Sequence, residues 1–257
     1  MAATNQKIRI VPERYPAAQG LKFSETKGAS ALAYAGKTGE EYQFPDGKHW
    51  QVTNTHIDDN TAFRAIVLKP LSVGDTRRIL AFGGTDLGGG LRGAVGDLVT
   101  DVKQVMQYRP TQYRQAKELA AKYNGQFGNN VTLTGHSLGG GMASYAALMN
   151  FMKATGVNAA PLSIYSNGLL GRIDIPDVYL EDGGGLKGKV FRSNISTITQ
   201  YNVAGELVSG SETFGLGRQP GMKNTITGGD VTPILNVITN HLLNNAGPEA
   251  ALPVKIK

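Results

Sequence analysis

The residues best suited to chemistry stand five in a row, Gly135-His136-Ser137-Leu138-Gly139. A serine flanked by glycines at this spacing can serve as a nucleophile when a base takes its proton and donors stabilise the oxyanion that forms. In a chain with 34 glycines the pattern alone is weak, because glycine-rich turns are common. Four histidines could act as the base: His49, His56, His136 and His241. When such a serine sits on a strand-turn-helix elbow, the triad follows in the chain order serine, acid, histidine. His49 and His56 precede Ser137, and His136 adjoins it, where it cannot aim at the hydroxyl. The order therefore selects His241 as general base and then general acid. The acids between Ser137 and His241 are Asp174, Asp177, Glu181, Asp182, Glu206, Glu212 and Asp230. Glu206 leads, since it follows the strand-like run Ile195 to Val203 through an Ala-Gly turn. Asp230 is the alternative, nearer to His241 but also suited to cap a final helix. Asp174, Asp177 and Asp182 fall in a Pro/Gly-rich stretch and read as surface.

The elements that must hold these residues are legible around Ser137. Asn130 to Thr134 is a β-branched strand, Gly135 to Gly139 a turn, and Met142 to Met152 an apolar helix starting near Gly140. Strand, sharp turn and helix in this order make the elbow, and the helix turns its N-terminal amides and positive dipole end toward the serine. Upstream, Ala62 to Leu68 and Arg78 to Phe82 read as strands, and Gly83 to Gly96 as a glycine-rich connection. Asp97 to Tyr108 and Thr111 to Tyr123 carry a helical period. Pro161 to Ser166 and Ile195 to Val203 read as further strands, and Asp230 to Asn245 as a closing helix. Strands and helices alternate through the middle, which predicts an α/β fold whose mostly parallel central sheet is covered by helices on both faces. Residues 1–60 read as a polar, irregular N-terminal extension packed on a single domain of residues 1–257. Pro12, Pro16 and Pro45 break that extension, and Ala29 to Ala35 is a short helical stretch in it.

Composition narrows the function classes. Apolar residues make up 40% and charged residues 18%, as in a packed globule. The net charge is +6, but the cations are scattered, with only short groups such as Arg77-Arg78 and Lys187-Gly188-Lys189. A solvated basic surface, or a weak attraction to anionic lipid, accounts for them, and no nucleic-acid motif accompanies them. The chain has no cysteine, which excludes disulfides, thiolate metal sites and a cysteine nucleophile. Met1 to Val11 holds no continuous apolar run, so a Sec-type signal peptide is not expected, and no apolar run reaches bilayer-spanning length. The expectation is a soluble protein, cytoplasmic or exported by a specialised route without a cleaved signal.

Three segments in order resemble the class 3 (fungal-type) lipase family of α/β-hydrolases. Val131-Thr-Leu-Thr-Gly-His-Ser-Leu-Gly-Gly140 is similar to the family's elbow. Ile79-Leu-Ala-Phe-Gly-Gly-Thr85 is similar to its oxyanion strand and loop. Gln200-Tyr-Asn-Val-Ala-Gly-Glu-Leu-Val208 is similar to its acid segment. Gly83 replaces the arginine usual in the oxyanion motif, and Glu206 the usual aspartate. The glutamate brings the chain nearer to bacterial phospholipase-like members. The resemblance implies that the backbone N–H groups of Thr85 and Leu138 form the oxyanion hole. It places a lid at Asp86 to Gly96, where the alternative is a simple flexible loop.

The expectation is a serine hydrolase that cleaves carboxylic esters of lipids at a membrane or micelle surface, as a phospholipase A or an acylglycerol lipase. Neither a metal nor an organic cofactor is needed for that chemistry, although a calcium site remote from the triad is compatible with it. A lipase core without a signal peptide also suggests a bacterial effector directed at membranes, with a dedicated neutralising (immunity) protein as partner. The rivals are an acyltransferase or non-lipid esterase with the same triad, and a non-catalytic α/β-hydrolase used for binding.

Overall fold

A computed structural model describes residues 9–12, 20–84, 110–162, 197–203, 219–227 and 252–257. Its elements, in chain order, are β1 (Arg9–Pro12), α1 (Phe23–Ala35), β2 (Glu41–Gln43), β3 (His49–Asp58), β4 (Phe63–Pro70) and β5 (Arg78–Phe82). They continue with α2 (Pro110–Phe127), the 3-10 turn Gly128–Asn130, β6 (Val131–His136), α3 (Leu138–Asn150), β7 (Lys153–Val157), β8 (Ile198–Val203), β9 (Met222–Thr227) and β10 (Val254–Lys255). All ten strands join one sheet in the order β1-β9-β8-β7-β6-β5-β4-β3-β2-β10. The five middle strands, β5 to β9, are mutually parallel, and both flanks are antiparallel.

Strand alternation sorts the core into two layers. Side chains two apart on a strand share a face. Ala65 and Val67 of β4 and Leu80 and Phe82 of β5 pack with Tyr113 and Ala116 of α2 and Met142 and Ala146 of α3. The alternate residues, Ile66 and Leu68 of β4 and Ile79 and Ala81 of β5, pack on the other face with Ala29, Leu32 and Ala33 of α1 and with Trp50. Helices thus cover both faces of the parallel centre, as expected for an α/β-hydrolase. The turn between β4 and β5, at the end of the sheet away from the C-termini of the parallel strands, puts Val73 fully into solvent.

Three elements depart from the sequence reading. Residues 41–58 are β2 and β3 rather than irregular chain. Their buried apolar residues lie on the α1 side (Tyr42, Trp50 and Val52), and beyond Val52 the strand is half-exposed or exposed, Ile57 included, so its alternation is too short to read. The strand following α3 is β7 at Lys153–Val157, which the sequence reading did not include; of the further strand read over Pro161 to Ser166, only Pro161 and Leu162 are described. The helix read over Ala29 to Ala35 begins at Phe23, because Lys22 N–H donates to Glu25 Oε2 at 3.1 Å and ties off its first turn. The helices read over 97–108 and 230–245 lie outside the described residues.

Glu25 makes a pH prediction. Its side chain is buried, and its Oε1 accepts from Lys48 Nζ at 2.9 Å and from Arg77 Nη1 at 3.1 Å. Burial pushes the carboxyl up, but the Lys48 and Lys22 hydrogen bonds and the Arg77 and Lys48 charges outweigh it and hold it below the ordinary 4.5. A carboxyl depressed in the folded state stabilises above its unfolded value, and that stability is lost as pH falls through the folded value. Glu25→Gln is expected to cost about 1–3 kcal/mol at neutral pH and to flatten the acid limb of the stability curve. Urea titrations of both proteins from neutral to acid pH check it. Parallel curves would assign the acid sensitivity to other groups.

Candidate active site

The site is assembled by register. In the parallel pair β5/β6, Phe82 lies opposite Gly135, so Gly83 and Gly84 run beside His136 and Ser137. In β6/β7, His136 lies opposite Val157, and in β7/β8, Val157 lies opposite Tyr201. Four strands therefore end together on one edge, where ligands of open parallel sheets bind.

Ser137 is the single residue between the end of β6 and the start of α3. Its backbone takes φ 55° and ψ −125°, a conformation that residues with a Cβ rarely adopt. Such strain persists only when the surroundings fix it. Ser137 N–H donates to Val157 O at 3.2 Å, and Ser137 O accepts from Gly141 N–H at 3.1 Å and Ala160 N–H at 2.8 Å. The strained turn half-exposes the serine while its neighbours His136 and Leu138 are buried. An α-helix leaves its first N–H groups without intrahelical acceptors, and here these belong to the residues next to Ser137, beginning with Leu138. A hydroxyl standing beside free amides and a positive dipole end is an arrangement able to attack a carbonyl and stabilise the oxygen anion that results.

The elbow is pressed against the end of β5. A Cβ on Gly139 would fall 2.2 Å from Phe82 O and 3.1 Å from Gly83 C, so no residue with a side chain fits there. A Cβ on Gly84 would fall 2.5 Å from Tyr34 Oη and 2.9 Å from His136 O. Tyr34, in the last turn of α1, places its hydroxyl 3.1 Å from His136 Nδ1. Gly83 brings no side chain of its own to this turn. Instead Arg64 of the adjacent β4 donates from Nε to Ala33 O and from Nη2 to Gly36 O, both at 2.9 Å. A cation thereby satisfies carbonyls at the C-terminus of α1 and fixes the helix end that carries Tyr34.

Of the residues singled out by sequence, Ser137 and Leu138 are placed by the structure, adjacent at the turn. Thr85, Glu206, Asp230 and His241 lie outside the described residues, as does the stretch Asp86 to Gly96. Val203, three residues before Glu206, ends β8 on the edge that Ser137 occupies. Two of the other histidines are engaged elsewhere: His136 with Tyr34, and His56 through Nε2 with Tyr123 Oη at 2.9 Å. Burial and the nearby Lys122 ammonium lower the His56 pKa. Among the described residues no cluster of His, Asp and Glu is suited to a metal ion, and no helix is long and apolar enough to cross a membrane. Sequence reasoning missed Tyr34 and Asn158. Tyr34 had a signal, since Ser30 and Tyr34 share a helix face one turn apart; Asn158 had none.

The model of a phospholipase-like family, the Tle-like phospholipase domain, matches residues 45–255. The extracellular phospholipase A1 of Serratia liquefaciens is 32% identical over 130 residues, which are 51% of this chain and 39% of that protein's own length. Among solved structures, Lip2 lipase from Yarrowia lipolytica superposes with a TM-score of 0.52 at 13% identity, covering 95% of this chain and all of that one (100%). The lipase of Rhizomucor miehei in complex with its propeptide gives a TM-score of 0.50 at 13% identity over 91% and 79% of the two chains. At such identity the two structures speak for the shared fold alone.

Proposed function

Because the chain belongs to the Tle-like phospholipase domain family, we propose that it hydrolyses carboxylic esters of membrane phospholipids through an acyl-enzyme on Ser137. The observation that carries this reading is the backbone of Ser137, φ 55° and ψ −125°, held at the joint of β6 and α3 with the end of β5 packed against it. Ser137 Oγ attacks the ester carbonyl while His241 takes its proton and then donates it to the leaving alcohol. Glu206 orients the imidazole, and the N–H groups of Leu138 and Thr85 receive the oxyanion. A water then repeats the sequence and frees the fatty acid. The Serratia relative is a phospholipase A1, which supports glycerophospholipid over acylglycerol as the substrate. Analysis of the products from mixed phospholipids and triacylglycerol tests it; release of fatty acid from triacylglycerol alone would replace the phospholipase reading by a lipase one.

The identity of the acid has its own test. Glu206→Gln is expected to lower kcat about ten-thousandfold, the loss seen when a triad acid loses its charge. Asp230→Asn is expected to leave kcat within about threefold. A larger loss in the Asp230 variant would transfer the role to that residue.

The same reading extends to export and to a neutralising partner. The Serratia relative is described as extracellular, and an enzyme that attacks the producing cell's own membrane lipids calls for an inhibitor inside it. Affinity isolation of the Ser137→Ala protein from its native host, with assay of the medium, tests both. Retention inside the cell with no bound protein would remove the effector part and leave the ester chemistry untouched.

A further inference from the structure

One residue ties the nucleophile turn to the strand that leads to the proposed acid. Asn158 directly follows β7, is wholly buried, and has φ 45°, in the left-handed region that asparagine tolerates better than most side chains. Its Oδ1 accepts from Val203 N–H, the last amide of β8, at 2.9 Å. Its own N–H donates to Tyr201 O at 2.9 Å. Val203 is thus held at a backbone group that would otherwise be buried without a partner. Two residues on, Ala160 N–H donates to Ser137 O at 2.8 Å, and next to Asn158, Val157 O accepts from Ser137 N–H. Residues 157–160 therefore grip Ser137 on one side and the exit of β8 on the other.

The far end of the segment 204–218 is held to the same place. Gln219, also buried, donates from Nε2 to Ala159 O, and Asn202 Nδ2 donates to Gln219 Oε1 at 2.7 Å. The chain thus leaves at Val203 and is caught again at Gln219, with both points fastened to residues 158 and 159.

We infer that Asn158 is a positioning residue for catalysis: with Gln219 it clamps both ends of the segment carrying Glu206 to the turn carrying Ser137. The inference rests on the reading of Glu206 as triad acid given above. It explains why a polar, strained side chain occupies a fully buried site where a small apolar residue would otherwise suffice.

Asn158→Gly tests the side chain separately from the backbone, because glycine adopts φ 45° without strain. The expected result is a kcat lowered about 100-fold, with KM within about threefold, as when a distant change misplaces a catalytic group. Asn158→Asp, which keeps an acceptor for Val203 N–H, is expected to recover kcat to within about tenfold of wild type. Gln219→Leu releases the other end and is expected to lower kcat as Asn158→Gly does, so the clamp stays testable should the glycine variant not fold. The deciding arm is a double-mutant cycle with Glu206→Gln: a residue acting through Glu206 costs almost nothing further once that carboxylate is gone. Full kcat in Asn158→Gly or in Gln219→Leu, or an undiminished Asn158→Gly loss in the Glu206→Gln background, overturns the inference. A harmless Glu206→Gln, by contrast, overturns the assignment of the acid.

Discussion

Ser137→Ala is expected to reduce kcat/KM for phospholipid hydrolysis about a million-fold, the loss typical of removing a triad nucleophile. Nothing else in the site compensates, because the described neighbours of Ser137 are buried glycine, leucine and a histidine already paired with Tyr34. The fold should be unaffected. Alanine occupies φ 55° at about the cost serine does, and the three backbone hydrogen bonds that hold the turn are unchanged. The melting temperature is expected to stay level or rise, since a strained, half-exposed hydroxyl serves function rather than stability. A fluorophosphonate probe followed by peptide mass spectrometry gives the direct readout. Wild type should carry one adduct on Ser137, and the variant none. An unlabelled wild type would remove the enzyme reading, and an active alanine variant would move the nucleophile elsewhere.

Gly139→Ala is expected to have the largest structural effect. Its Cβ would be forced to 2.2 Å from Phe82 O and 2.9 Å from Phe82 C. Both are backbone atoms of the fully buried Phe82, so no rotamer change relieves the clash and β5 and α3 must separate. The expected loss is about 3 kcal/mol of stability, the upper end of ordinary overpacking. Activity should fall further than stability explains. The displaced backbone leads into Gly83 and Gly84, the approach to Thr85. Gly125→Ala is the matched control. It lies in α2 with nothing within 4 Å of the added carbon, and a helical glycine replaced by alanine should gain up to about 1 kcal/mol. Chemical denaturation of both variants, with kcat measured where each is fully folded, checks the pair. Equal stability of the two would mean that the elbow and β5 are not in backbone contact.

These two glycines also show what a sequence can and cannot reveal. The elbow was readable because it is local: strand, turn and helix lie within some twenty consecutive residues, and each has its own composition. The two-layer core at β4 and β5 was readable because alternating burial left continuous apolar runs. The helix α3 is buried around almost its whole circumference, so its apolar content announced it where a periodic face could not. By contrast β7 escaped notice. Lys153-Ala-Thr-Gly-Val157 has little strand character, and pairing between β6 and β8 makes it a strand. The helix α1 was read too short, because Glu25 and Lys27 look like surface residues but are buried. The clamp at Asn158 could not be read, since its key partner lies 45 residues away. Of the proposed site, the order rule supplied His241, the turn after the Ile195 to Val203 run supplied Glu206, the local elbow supplied Ser137, and the family resemblance supplied Thr85 and Leu138.

The β4–β5 turn has a practical consequence. Val73 is fully exposed at the opposite end of β5 from Gly83 and Gly84, and the chain contains no cysteine. Val73→Cys would therefore give the protein a single thiol, addressable without any background reaction. Maleimide coupling there would anchor the molecule by its blunt end to a bead, a sensor chip or a fluorophore. Ser137 would then face the bulk, oriented alike in every copy, toward whatever vesicle is flowed across it.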